Sequence, residues 1–469
     1  MDITGLIFLI GTALFFAIIG VRYAVKRKLS VEKYVTSRNS LSTWLGATTI
    51  FATGMGAWIL FSPAEAAITA GIYALLLYAV ASALSLWVFI WLGIKIREIM
   101  PKGHTLTEFV LHRYGKLMYY FVALITIIYM AIALTAELTG IALASNMVFG
   151  IPLWLSSSII AFGTVAYTSI GGFRTSVFTD TVQTWFILPL IALIFVGSIA
   201  FLGQSVFSDA AKISQDSFRF TKNGVEYGIT LVIAIVGAEI FNQSWWQRVY
   251  SAKNPKTMKR SFLIAGFLVI PVVFIAGLFG FFAIAKGTAS MPSVALFSFL
   301  LEMPRWILLS AMVLAVTLIM STIDTLLNGI VGIFTVDIAR IKPKINRKKL
   351  LRIAQFLTFL ISIIAVLVSI KGFSVLYLFL LADIVCTAIA IPVFYGMFSK
   401  KYSSKNAVIS GIIGLAVGLM LFPNPSFTRG SLLWSFAAAF FIPIIPAFLL
   451  RTKKEFDFSV FRKKVNELN

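Results

Sequence analysis

The chain has 469 residues, of which 59% are hydrophobic and 12% charged, and its formal net charge is +22. A soluble domain carries about 25% charged residues, so this apolar surplus exceeds what an aqueous core can hide, and lipid must be the solvent for much of it. The basic residues lie in short clusters between apolar runs with no continuous basic face, which excludes nucleic acid as the reason for the charge.

The apolar runs are about 18–25 residues long and do not alternate, so the spans are helical rather than barrel strands. An all-α polytopic membrane protein is expected. Thirteen helices are predicted, near 4–23, 42–68, 72–94, 117–147, 153–170, 176–202, 226–246, 261–286, 304–335, 352–370, 373–397, 406–422 and 432–450. The second, fourth and ninth are long enough to be tilted, broken or extended past the bilayer. The opening MDITGLIFLI lacks a basic n-region and a small-residue cleavage site, so the first helix is expected to be retained. The single Cys386 excludes an intrachain disulfide.

Lys and Arg set the orientation. Of the 40, 33 fall on the side reached after the first helix, including Arg22, Lys26, Arg27 and Lys28 and the clusters in 95–116, 247–260, 340–352 and 451–464. That side is expected to be cytoplasmic, with the N-terminus outside the cell membrane and the C-terminus inside. Residues 451–469 read as a basic tail too short for a folded domain, and 203–225 as the longest outer hydrophilic loop. The run 287–303 is apolar but too short to span, so an outer lid or re-entrant helix is expected there.

Four segments carry polar chemistry inside apolar runs. In 42–68 the stretch Thr48–Gly56 is rich in Thr and Gly, and Gly54 and Gly56 weaken the helix. A helix broken at mid-membrane exposes carbonyls that can hold a cation; close packing through small residues is the competing reading. In 304–335, MSTIDTLLNG places Ser321, Asp324, Thr325 and Asn328 on one helical face. Those oxygens suit a small hard cation, although a structural hydrogen-bonded seam would use the same residues. IGGFRTSVFTDTVQ at 170–183 carries Asp180 and Gln183, with Arg174 as one available partner for the acid.

GAEIFNQSWWQRVYSAK at 237–253 sets Glu239, Asn242, Gln243, Trp245 and Trp246 where an apolar helix should end. Amides beside indoles can orient a polar solute, and the alternative is an interfacial aromatic belt. Glu137, Glu65 and Asp383 are further intramembrane acids, with Tyr129 and Tyr377 as candidate partners. His104 and His112 have no metal-ligand companions, and no phosphate-binding glycine loop suggests ATP.

GGFRTSVFTDTVQ at 171–183, FNQSWWQRVYSAKNP at 241–255, PKGHTLTEFVLHRYG at 101–115 and MST at 320–322 together resemble the sodium:solute symporter family, within it the urea and polyamine transporters, over roughly 30–400. The resemblance implies a LeuT-like 5+5 inverted-repeat core. Residues 42–202 and 226–397 would form the repeats, with one extra helix before them (4–23) and two after (406–450). It implies a sodium site of backbone oxygens of Ala52, Met55 and Leu318 with the hydroxyls of Ser321 and Thr322. Asp180 resembles the acid that serves a second sodium or the ion's exit, with Asp324 and Thr325 beside it. Thr53, Gly54, Glu137, Glu239, Asn242, Gln243, Trp246 and Tyr377 are the substrate-pocket candidates.

The chain departs from the family's proline-transporter branch by carrying Gly54 where that branch has an Asp. The expected function is sodium-coupled symport of a small polar solute (urea, a polyamine or an amino acid), without an organic cofactor and without enzymatic activity. A proton-coupled symporter, a solute sensor and a channel are the rivals.

Overall fold

The computed structural model describes residues 2–25, 30–203, 205–341, 345–424, 430–449, 452 and 455–467. Several residues counted for orientation, among them Lys26, Arg27, Lys28, Lys342, Lys344, Arg429 and Arg451, lie outside them. The described residues are helical, with a single isolated bridge pairing Leu41 with Ala252.

Among the described residues, ten helices are long and apolar enough to cross a bilayer, eleven when the bent pair Lys222–Glu239 and Gln243–Ser251 counts as one span. Thirteen were expected. The difference lies in two helices of 42 and 50 residues, Trp58–Ile99 and Leu153–Leu202, each far longer than the roughly 20 residues one crossing needs. Each holds one glycine outside helical geometry, Gly71 (φ 79°) and Gly172 (φ 54°), a conformation that a side chain with a Cβ resists. Each is therefore two arms meeting at a glycine, and the expected boundaries 68/72 and 170/176 fall on those two positions. A Cβ at Gly71 would lie 2.7 Å from the Ser217 carbonyl oxygen, so a second constraint, close approach, acts at the same residue.

The segment expected as an outer hydrophilic loop is partly folded. It forms a helix over Val206–Ile213 and a 3-10 turn over Gln215–Phe218, because Val206 and Ala210 are apolar at helical spacing and pack inward. The run 287–303 contains a short helix, Ala295–Leu300, whose Phe297, Phe299 and Leu300 are fully buried. Large apolar side chains such as Trp44, Trp91 and Trp185 stay exposed on the outer surface of the bundle, where lipid would cover them.

Two interruptions organise the centre. Thr43–Gly54 stops at Met55, whose ψ of 92° is extended, and the chain resumes as helix at Trp58. Lys222–Glu239 stops at Ile240, and Gln243–Ser251 restarts at a 61° angle with the Asn242 side chain capping its first turn. Both breaks face the long helix Arg305–Ile341: Thr322 reaches Met55 and the Ser244 hydroxyl donates to the Thr325 carbonyl at 3.1 Å.

Candidate functional site

The first break brings together oxygens from two helices. Thr322 Oγ1 lies 3.2 Å from the Met55 carbonyl oxygen and 3.2 Å from that of Leu318. The Ala52 carbonyl accepts the Met55 N–H at 3.0 Å, closing the end of the first half-helix. Ser321, the fifth expected ligand, is fully buried and donates instead to Asp180 Oδ1 at 2.7 Å. Neutral hydroxyl and carbonyl oxygens crowded at a helix break form a hard-donor set.

Asp180 is fully buried, and its partner is not Arg174. Arg248 donates to Asp180 Oδ2 at 2.8 Å, and the Thr49 hydroxyl donates to the same oxygen at 2.5 Å. Arg248 comes from the second half of the other broken helix and is itself 1% exposed. Burying this pair is costly unless further hydrogen bonds support it. Here Thr49, Thr53 and Ser321 supply three on the acid, and Arg248 also donates to the Ser244 carbonyl.

Asp324 lies next to this group. It accepts from Ser176 at 2.6 Å, Thr179 at 3.0 Å and Thr325 at 3.1 Å. Thr325 Oγ1 is also 3.3 Å from Arg248 and from Thr53. Through Thr53 and Arg248, Asp180, Asp324 and Thr325 thus belong to one hydrogen-bonded cluster. The sequence reading missed Arg248, Thr49, Ser176 and Thr179. Thr49 and Thr53 are spaced i, i+4, which would have placed both hydroxyls on one face.

Adjoining the first break and this cluster is a cavity of ≈ 80 Å³. Of the substrate-pocket candidates, Thr53, Gly54, Glu137, Glu239 and Asn242 line it, together with Thr322. Three do not. Gln243 is fully buried facing the chain just before Leu106–Tyr114, where it accepts the Leu106 N–H at 3.1 Å and donates to the His104 carbonyl at 2.9 Å. Trp246 stacks on Phe394 and donates to the Ile240 carbonyl. Tyr377 meets the Pro423 carbonyl and Phe422, away from the cavity. For Gln243 and Trp246 a chain neighbour faces the cavity instead: one step along a helix rotates a side chain by about 100°, so Asn242 and Trp245 line the wall while Gln243 and Trp246 leave it. Both indoles are almost fully buried, which rules out the interfacial-belt reading.

Glu239 accepts from Tyr129 at 3.0 Å, Asn242 at 3.2 Å and Trp245 at 2.5 Å. Glu137 Oε2 accepts the Ala57 N–H at 2.6 Å, at the start of the second half-helix. Asp383 and the aromatic side chains of Trp58 and Tyr78 also line the wall. A polar cavity beside a broken helix and a hard-donor cluster can bind a solute next to a cation.

The family model for the sodium:solute symporter family matches residues 34–414, most of the chain. The chain belongs to the sodium:solute symporter family. It is a secondary active symporter of the membrane, not an enzyme. Among relatives, it is 28% identical to a spermidine transporter of Candida albicans, over 84% of this chain and 76% of that one. It is 24% identical to the urea active transporter of Saccharomyces cerevisiae, over 84% of this chain and 59% of the other's length. In fold it is similar to a Na+-coupled sialic acid symporter solved in a substrate-bound outward-open state. The TM-score is 0.78 at 19% identity, covering 95% of this chain and 97% of that one. The symporter fold is LeuT-like.

Proposed function

We propose that this symporter couples uptake of a small polar organic solute to sodium, by alternating access across the cell membrane with its C-terminus inside. The observation that carries the reading is the meeting of Thr322 Oγ1 with the Met55 and Leu318 carbonyls at the first break. Sodium there would tie the broken helix to Arg305–Ile341 and favour the solute-competent state. The coupling can be no larger than the ion's difference in affinity between states. The membrane potential then adds about 2.3 kcal/mol per charge per 100 mV. Residues 42–202 and 226–397 would be the two repeats that move against each other, each opening with one of the broken helices.

The test is the sodium dependence of uptake in Thr322→Ala and Ser321→Ala. Thr322→Ala raises the sodium concentration for half-maximal uptake at least tenfold. Ser321→Ala raises it less, since its hydroxyl is engaged with Asp180. Unchanged sodium dependence in both, at normal protein levels, would refute the site.

A second reading, proton coupling, is favoured by one observation: Ser321, Asp180, Thr53, Thr325 and Asp324 form a continuous buried chain of hydroxyls and carboxylates. Uptake driven by an imposed pH difference in sodium-free medium would select it.

A further inference from the structure

The C-terminal segment, expected as a basic tail, is in part folded back onto the bundle. Its short helix Ser459–Lys464 buries Phe461 completely, stacked on Phe109 at 5.4 Å, and Val465 is buried as well. The Arg113 guanidinium lies 4.5 Å from the centre of the Phe456 ring, and the Phe456 N–H donates to the Lys400 carbonyl at 3.0 Å. Aromatic burial of this kind holds a segment in place. A cavity of ≈ 530 Å³ is left between it, the end of Trp58–Ile99 and the turn after Val375–Phe394.

The cavity is basic. Lys95, Lys400 and Arg462 line it against one acid, Glu98, which pairs with Lys95 at 3.6 Å. Lys400 and Arg462 make no ion pair among the described residues. Asp457, the other acid close by, turns its two oxygens to Ser459, at 2.8 and 2.6 Å. Two uncompensated cations in one concavity repel each other, and they concentrate anions there.

The place in the bundle selects the source of the anion. Trp58–Ile99 and Val375–Met397 are both long and apolar enough to cross a bilayer, so their ends lie where hydrocarbon gives way to headgroups. Trp91 stands one turn before Lys95 on the same helical face and is 67% exposed. Phe398, on the cavity wall, is 61% exposed. Exposed aromatics with basic groups just beyond them meet acyl chains and phosphates together. The volume falls in the range of about 300–1,000 Å³ typical of sites for small organic groups, enough for a whole headgroup.

We propose that this cavity binds the phosphate headgroup of an anionic phospholipid. Lys400 and Arg462 flank the phosphate, and the acyl chains leave past Trp91 and Phe398. The lipid thereby bridges the C-terminal segment to two spanning helices. The site is separate from the ion and solute cavity, so its test does not depend on sodium coupling.

The test is thermal unfolding of the detergent-purified full chain, titrated with dioctanoyl phosphatidylglycerol, dioctanoyl phosphatidylcholine or glycerol 3-phosphate. Phosphatidylglycerol raises the melting temperature saturably, and the other two, at the same concentrations, do not. In Lys400→Gln/Arg462→Gln its half-saturating concentration rises at least fivefold; both side chains are exposed, so the fold survives the change. Lys463→Gln/Lys464→Gln removes equal charge outside the cavity and shifts that concentration less than twofold. Equal stabilisation by phosphatidylcholine overturns the proposal, and so does an equal loss in the two double variants, which would mean diffuse attraction. Stabilisation by glycerol 3-phosphate as strong as by the lipid also overturns it, assigning the cavity to a soluble anion.

Discussion

Asp180 and Arg248, 68 residues apart in sequence, form a 2.8 Å ion pair in which both side chains are almost fully buried. The pair ties the long glycine-broken helix Leu153–Leu202 to Gln243–Ser251, the second half of the other broken helix, beside the oxygen cluster at the first break. Any change of access that moves those two elements apart must break it or carry both along.

Removing one charge leaves the other buried and uncompensated, a loss of about 3–5 kcal/mol. Arg248→Met is therefore expected to lower the melting temperature of the detergent-purified protein strongly. Adding Asp180→Asn to it should restore much of the loss, since a neutral pair no longer needs the ion contact. Additive destabilisation in the double variant would mean the two residues act separately.

Gly56 and Gly54 look interchangeable in sequence and are not interchangeable in space. A Cβ at Gly56 would collide with Glu137, whereas at Gly54 the nearest atom would be Trp245 Cη2 at 3.5 Å, an ordinary contact. Gly56→Ala should cost about 1–3 kcal/mol through overpacking, and Gly54→Ala well under half of that. Thermal unfolding of the two variants, measured side by side, checks the order; equal melting temperatures would contradict it.

Just before the helix Leu106–Tyr114, His104 Nε2 lies 2.6 Å from Glu32, and its Nδ1 lies 3.3 Å from Glu108, which also takes an ion pair from Arg340 at 2.6 Å. Burial alone would lower the His104 pKa, but the two carboxylates outweigh it and hold it above its ordinary 6.5. A raised pKa contributes stability that is fully present below 6.5 and is lost as pH rises through the folded value. His104→Gln should thus melt well below the parent at pH 6, with the gap narrowing as pH is raised past that folded value. A gap that widens with pH would reverse the assignment.

The helical membrane fold was legible because long apolar runs leave few alternatives in lipid. The breaks were legible too, since Thr48–Gly56 and the Asn242–Trp246 region put polar and small residues where a lipid-facing helix would have neither. Helical phase past a break was not legible. Sequence places Gln243 and Trp246 beside Asn242 and Trp245, but only the 61° turn decides which of them face the cavity. Partners distant in sequence were hidden for the same reason. Nothing local links Glu137 to Ala57, or Asp180 to Arg248 in preference to the nearer Arg174. The 206–213 helix was missed because its few apolar residues lie in an otherwise polar stretch.

The central claim is that an alkali cation held by Met55, Leu318 and Thr322 drives transport, and ion replacement in proteoliposomes tests it most directly. With equal pH on both sides, initial uptake of a transported solute is measured with an inward sodium gradient and again with choline in its place. The account predicts accumulation above equilibrium in sodium and only equilibration in choline. Equal accumulation in both would contradict it.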